Sequence, residues 1–461
     1  MIKEKMIRLV VYPAFQMLKQ RTTMELLQKW EELHLNSRKE IEDYQSERLR
    51  EMIHHAANNV LYYQKRFRED GIHPDRVHDI HDIQKLPLLS KETVRLHPEQ
   101  LISRGFKRGL EEVRTGGSTG EPMTYFMGQD AFSANQAVAW RSRRWFGMDI
   151  GQPHILIWGH SASFGGGVQA KISRIKRPVK DWILNRRTLS AYNLSEKHLA
   201  SYVKTIRNYA PQYMRGYAST FYVLASYIEE NESPLRFPGL KAIICTSEVL
   251  YDWQKRVIER VFECPVVNEY GSNETGVMAY SCPEGNLHVM EENVILEVVK
   301  NNDGGPDDVG EIVVTQLQHK GAPLIRYRIG DVARGFRSGC ACGSNLKILD
   351  GLVGRTYDLI HTPDGRFVHG QLFHHILRQP EAVKKFQVRQ KSDSALEIKI
   401  VLDGNSGQIQ EDVVEKQIKN VTGNEMSIDF AYVHEIPLEK SGKFRWIISE
   451  ISHQKFRESR S

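Results

Sequence analysis

The chain has 461 residues, 40% of them hydrophobic and 26% charged, a globular composition long enough for roughly two to four domains and a core without disulfide staples. Its 34 glycines and 17 prolines exclude collagen-like and low-complexity readings, and no apolar run approaches the ~20 residues that span a bilayer, which excludes an integral membrane protein. The net charge of +6 (63 Lys+Arg against 57 Asp+Glu) is too mild to call for a nucleic-acid partner, and five cysteines point to a reducing, cytoplasmic setting.

The start, MIKEKMIRLVVYPAF, carries basic side chains and a short apolar patch, with no h-region long enough for a secretory signal. Residues 1–105 read as helical. Over residues 25–67 apolar positions recur at three and four, and Leu49, Met52, Ile53 and Ala56 share one helix face that Asn58-Asn59 ends. Leu86-Pro87 breaks the chain ahead of Ser90, a predicted N-cap for KETVR.

From Gly109 short apolar runs alternate with helical stretches. HILIWG (154–159), LKAIICTS (240–247) and PVVNEYG (265–271) read as strands; residues 195–209, 219–230 and 252–262 read as amphipathic helices. That alternation predicts an α/β layered domain. After Tyr280 the reading is mostly strand, with NNDGGPDD (301–308) as a hairpin loop. A Gly-rich break over 351–358 precedes an α+β module of strands around a helix at 409–421. The expected division is a large N-terminal domain, 1–353, and a small C-terminal domain, 354–461.

Four segments carry candidate chemistry. RTGGSTGEP (114–122) interleaves glycines with hydroxyls, the makings of a backbone nest for phosphate, though GK[ST] of a Walker A loop is absent. In NEYGSNETG (268–276), Tyr270 suits stacking on a purine and Glu274 suits a hard cation. In LIRYRIGDVA (324–333), Asp331 follows a glycine at an expected strand end and could accept ribose hydroxyls. In PLEKSGKFRW (437–446), Lys443 is a compact charge able to neutralise developing phosphate charge. Taken alone, the first segment reads as well as a flexible turn, and the other three read better as a strand end, a solvated turn and a basic loop.

In this order the segments, together with LREMIHHAANNVLYYQKRF, LPLLSKETVR, TSEVL, GEIVVTQL and LVGRTYDLI, resemble the adenylate-forming superfamily over nearly the whole chain. The nearer likeness is to phenylacetate–CoA ligases, coenzyme F390 synthetases and CapK-type proteins of polysaccharide gene clusters. The resemblance implies an acyl-CoA synthetase-like fold whose small C-terminal lid swings between two steps. A carboxylate attacks the α-phosphate of ATP·Mg²⁺, giving acyl-AMP and pyrophosphate; a thiol, by default CoA, then takes the acyl group.

By motif, the resemblance assigns Ser118, Thr119 and Gly120 to the phosphates and Ser247 and Glu248 to the border of the adenine. It assigns Tyr270, with Gly271 and Ser272, to nucleotide binding, Glu274 to Mg²⁺, Asp331 and Arg355 to the ribose, and Lys443 to the first step. His160 in HSASFGGG, and Tyr217 in RGYAST where relatives place acyl-pocket residues, are candidates for the substrate pocket; a plain glycine loop reads equally well for the first. The chain departs from the pattern at Glu121, where many relatives carry lysine, and at Tyr357, where a charged hinge residue is usual; Asp358 is the neighbouring alternative.

Cys282-x₅-His288 and Cys340-x-Cys342 offer a Cys₃His set for a closed structural Zn²⁺ site. Both pairs are expected on strands. The spacing departs from the usual knuckle, some relatives carry a similar set, and four unrelated residues or an oxidisable thiol pair are the alternatives. Cys245 and Cys264 read as small buried apolar residues, and Phe221, Tyr222 and Tyr227 as core. The basic run at 171–187 reads as a solvated face, or as a contact for CoA phosphates, an anionic polysaccharide or lipid.

The expected function is therefore carboxylate adenylation followed by transfer to CoA. The alternatives are transfer to an amine or hydroxyl of a sugar-linked, cell-envelope acceptor, or a nucleotide-binding scaffold without catalysis. A homodimer is compatible with the sequence, and a membrane-surface role for residues 1–20 is a minor further expectation.

Overall fold

The computed structural model describes residues 2–106, 109–114, 123–159, 178–191, 194, 196–231, 237–300, 309–352, 354–355, 359–364, 367–369, 373, 376–377, 382–402, 409–437, 444–449 and 451. They form two compact units. The larger comprises Met1–Glu297, Val313–Ile329 and Phe336–Asp350; the smaller comprises Val298–Ile312, Gly330–Gly335 and Gly351–Ser461.

Helices open the larger unit at Thr23–Trp30, Arg38–Asn59 and Leu61–Glu69. Ser37 and Glu40 cap the long one reciprocally, a capping box that satisfies two N-terminal donors. Ser90 caps Lys91–Leu96 through the Thr93 N–H, as the sequence predicts.

A nine-stranded sheet follows. Across it the order is Gly335–Arg337, Ile348–Asp350, Leu287–Val289, Gly276–Ser281, Val266–Ser272, Ala242–Thr246, Tyr213–Gly216, His154–Trp158 and Arg186–Ser190. The last five run parallel and the neighbours on the other side pair antiparallel. Ala242–Thr246 shows why helices cover both faces. Ile243 and Cys245 join one buried cluster with the helices Glu196–Tyr209, Ala218–Asn231 and Asp252–Phe262. Ala242 and Ile244 join another with Gln129–Arg144 and the N-terminal helices. Successive side chains point to opposite faces, so a run of apolar residues buries both. Cys245, Cys264 and Phe221 are buried in the first cluster and Tyr222 and Tyr227 pack against it.

In the smaller unit a four-stranded sheet, ordered Ser427–Tyr432, Ala395–Leu402, Val383–Ser392 and Ile447–Ser449, accompanies the helix Glu411–Thr422. Phe386, Val388, Ile398, Ile400 and Ile418 make its core.

Candidate functional site

Parallel strands put their carboxyl ends on one edge, where open α/β sheets collect ligands. In the larger unit that edge holds Trp158, Gly216, Thr246 and the end of Val266–Ser272. The predicted residues gather there: Tyr270, Gly271 and Ser272 are the last of Val266–Ser272, and Tyr217, Ser247, Glu248 and Glu274 lie just beyond strand ends.

Tyr217 is buried, its ring 4.7 Å from that of Trp158, and its hydroxyl accepts the Gly159 N–H at 3.4 Å. Arg215 lies over the other ring of this group, 5.2 Å from the Trp158 centroid. Its Nε donates to Glu269 at 3.0 Å, and Arg143 stands 3.7 Å from the same carboxylate. Burial alone would raise the Glu269 carboxyl; the two guanidiniums outweigh it and hold the pKa below the usual range.

Ser247 takes φ +67°, left-handed for a residue with a Cβ, and so stores strain at the strand end. Both oxygens of Glu248 are engaged by Ser219, from its N–H at 2.9 Å and its Oγ at 3.0 Å, at the start of Ala218–Asn231. A carboxylate there satisfies an orphan helix donor and meets the positive end of the dipole.

The turn after Val266–Ser272 is forced by space. A Cβ on Gly271 would lie 2.2 Å from the Gly276 carbonyl oxygen; one on Gly276, itself at φ +74°, would strike the Asn135 amide at 2.1 Å. Ser272 Oγ accepts the Thr275 N–H at 3.2 Å. The Glu274 side chain that emerges is 4% exposed. Tyr327 donates its hydroxyl to Glu274 Oε1 at 3.3 Å, and Gln316 Nε2 donates to the Glu274 carbonyl at 3.0 Å. Gln316 is held in turn by His319, whose Nδ1 faces Gln316 Oε1 at 3.2 Å while Nε2 accepts the Gly128 N–H at 3.4 Å. Burial lowers the His319 pKa to about 4, opposed only by Asp130, so the ring is neutral and its two nitrogens keep distinct roles. The pKa of Tyr125 is raised, first by burial and then by the Glu274 charge. A single buried carboxylate beside a phenol fits Mg²⁺, which usually takes one or two carboxylates and completes its shell with phosphates and water.

In the smaller unit Asp331 and Arg355 are cross-strand partners, Asp331 opposite Arg355 and Val332 opposite Gly354. Asp331 is nearly buried, and it lies inside the strand Tyr327–Ala333, not at a strand end as expected. The strand begins late because Arg326 sits at φ +48°, which ends any extended run from Leu324. Ser118, Thr119, Gly120, Glu121, His160, Tyr357, Asp358 and Lys443 lie outside the described residues, and Arg355 enters by its backbone alone.

The four zinc candidates do come together, with donor atoms all within 4.8 Å of one another. Cys282 Sγ is 3.7 Å from Cys340 Sγ, and Cys342 Sγ is 3.4 Å from His288 Nε2. Tetrahedral zinc, with bonds of about 2.3 Å to sulfur and about 2.0 Å to nitrogen, would set these spacings near ~3.8 and ~3.5 Å, so the donor set fits the ion. His288 Nδ1 donates to the Leu346 carbonyl at 3.0 Å, which leaves Nε2 with its lone pair toward the thiols. Only His288 is on a strand, Leu287–Val289; the three cysteines lie outside strands, a correction to the expected strand placement.

Sequence reasoning missed Tyr327, Gln316, His319 and Arg215. Tyr327 stands within LIRYRIGDVA and Arg215 within RGYAST, so the motifs contained them; no local pattern marks Gln316 or His319.

Comparison with known proteins follows the geometry. The family model described as the CapK C-terminal domain matches residues 360–450. Protein CapK of Staphylococcus aureus is 24% identical over 423 residues, covering 89% of each chain. A phenylacetate-coenzyme A ligase of Escherichia coli is 25% identical over 334 residues, covering 70% of this chain and 72% of its own. The crystal structure of 2-hydroxyisobutyryl-CoA ligase, in its postadenylation state with R3-HIB-AMP, superposes with a TM-score of 0.71 at 16% identity, covering 93% of each chain. Over most of its length the chain is thus similar to CapK and to phenylacetate-coenzyme A ligases, and it shares the fold of an acyl-CoA ligase.

Proposed function

We propose that this protein activates a small carboxylic acid with ATP and Mg²⁺ and passes the acyl group on, with CoA as the default acceptor. The observation that carries the reading is Glu274: a buried carboxylate that accepts from Tyr327, on a main chain held by Gln316, at the carboxyl edge of the parallel strands, next to Tyr270 and a glycine turn with no room for a side chain.

In the first step a substrate carboxylate oxygen bonds the α-phosphorus while the bond to the bridging oxygen of pyrophosphate breaks. Two anions meet, so the site has to supply positive charge and N–H donors. Glu274 would hold Mg²⁺, which supplies charge neutralisation at the phosphates. Tyr270 would stack on the adenine, with Gly271 and Ser272 beside it and Ser247 and Glu248 at its border. Glu248 keeps its carboxylate on Ser219, so its part there is to hold the backbone. Ser118, Thr119 and Gly120 would wrap the phosphates, Asp331 and Arg355 would take the ribose, and Lys443 would bridge carboxylate and phosphate. His160 and Tyr217 would line the acyl pocket. In the second step the thiolate of CoA attacks the acyl carbon, and AMP leaves with the electron pair of the acyl–oxygen bond. Residues 354–461 would serve as the lid for both steps. Zn²⁺ held by Cys282, His288, Cys340 and Cys342 would serve as a structural crosslink.

The match of residues 360–450 to the CapK C-terminal domain favours a second reading, in which an amine or hydroxyl of a cell-envelope precursor accepts the acyl group. Pyrophosphate release from ATP, Mg²⁺ and a panel of acids, with and without CoA, tests both. Acid-dependent release that Lys443→Ala abolishes is expected. Release that CoA accelerates supports the first reading, and release indifferent to CoA supports the second. ATP binding with no release from any acid would overturn both in favour of a scaffold.

A further inference from the structure

The beginning of the chain is helical and carries a face that the fold leaves bare. It runs through Ile2–Met6, Ile7–Val11 and Tyr12–Leu18, the middle stretch widened into a π turn. One side is anchored. Ile7 and Tyr12 are buried, and Trp140 donates its indole N–H to the Tyr12 hydroxyl at 3.1 Å. Gln212 donates to Glu4 at 2.6 Å, and Arg8 reaches Asp149 at 3.1 Å. The other side also carries exposed apolar side chains: Ile2 is 89% exposed, Leu9 65%, Val10 61%, Met17 79% and Leu18 85%. A helix that is apolar all round belongs inside a protein or against lipid. The inner side here is inside the protein, and among the described residues nothing covers the outer one.

Charge identifies the cover. Lys3, Lys5, Arg8, Lys19 and Arg21 stand against Glu4 alone in this stretch, and Glu4 is turned inward onto Gln212. Lys3, Lys5 and Lys19 are exposed along the apolar strip. Apolar residues flanked by cations are what an in-plane helix presents to an anionic bilayer. A two-fold contact with a second copy would set those cations against each other.

A second patch adjoins it. Residues 178–183 are helical and expose Val179 and Trp182; Leu184 packs on the core cluster that holds Ile7 and Tyr12. An exposed tryptophan suits the headgroup layer. No helix among the described residues is long and apolar enough to cross a membrane, so the contact is with a surface.

We propose that residues 2–21, with 178–183, dock the protein onto an anionic lipid bilayer as an in-plane anchor. Gln212 directly precedes Tyr213–Gly216, so the anchor sits at the amino ends of the parallel strands. The edge with Ser247 and Tyr270 is the opposite one, and docking leaves it facing away from the lipid.

Co-sedimentation of the full chain with phosphatidylcholine vesicles, with and without phosphatidylglycerol, tests this. The protein should pellet with the anionic vesicles and be released by salt. Leu9→Glu with Leu18→Glu should lower partitioning by about tenfold or more, and each of Lys3→Gln and Lys5→Gln by about fivefold. These side chains are exposed, so melting temperatures should be retained, which separates lost docking from lost folding. No partitioning at physiological salt, or equal partitioning of the double glutamate variant, overturns the proposal. A lipid-free dimer in sedimentation velocity, abolished by that variant, would give the strip to a second copy and overturn it too.

Discussion

Tyr327 donates its phenol to Glu274 at 3.3 Å although the two are 53 residues apart, and neither side chain has appreciable contact with solvent. The bond fixes the rotamer of the one carboxylate that the proposed function asks to hold a cation. Tyr327→Phe removes that donor and little volume. A several-fold rise in the KM for MgATP is expected with a stability loss of about 1 kcal/mol. An unchanged dependence of pyrophosphate release on Mg²⁺ would separate Tyr327 from the metal.

Glu269 supports the same edge through charge. Its carboxylate is 2% exposed between Arg215 and Arg143, and Glu269→Gln leaves two guanidiniums without their counter-ion. Breaking a buried pair in this way costs about 3–5 kcal/mol. Chemical denaturation should show that loss near neutral pH. Because the folded pKa is depressed, the stabilisation is present above about pH 4.5 and disappears as pH falls through the lower folded value. The difference between wild type and variant should therefore shrink in acid.

Two histidines, His319 buried and His154 half-buried, set a second pH dependence. Burial lowers His319 to about 4 and His154 to about 3, against an ordinary value of 6.5. The unfolded chain takes up both protons near pH 6.5 and the folded chain does not. Stability is thus full above 6.5 and falls as pH drops toward the folded values, by about 1.4 kcal/mol per pH unit for each ring. His319→Gln should flatten the slope between pH 6 and 4 by about one proton, read from denaturation midpoints at several pH values.

The cysteine–histidine cluster predicts about one zinc per chain in protein purified without chelator, measured by mass spectrometry. Cys340→Ser or His288→Ala should lower the content several-fold, and a chelator should lower the melting temperature of the wild type but not of either variant. Protein that folds with no zinc and is indifferent to chelator would leave the cluster as free thiols.

Much of this was legible in the sequence where periodicity is strong. HILIW, AIICT and the helix Asp252–Phe262 appear where their patterns place them, because burial on one or two faces dictates the pattern. Ser90 was legible as a cap because a hydroxyl ahead of a helical turn has one clear partner. Asp331 was misplaced because the strand runs on past Gly330 to Ala333, where Asp331 and Val332 pair with Arg355 and Gly354. The strain at Ser247 and the chain from Gly128 through His319 and Gln316 to Glu274 were illegible for another reason. They depend on which residues distant in sequence meet, which the topology of the sheet decides.

The cluster also has a mechanical side. Cys282 and His288 come before, and Cys340 and Cys342 after, the stretch in which the chain leaves the larger unit at Val298, re-enters it for Val313–Ile329, and leaves again for Gly330–Gly335. With a metal joining the four donors, that whole excursion becomes a loop closed at its base. A pull applied through Val298–Ile312 or Gly330–Gly335 would then be borne by metal–sulfur bonds rather than by the short edge strand Gly335–Arg337.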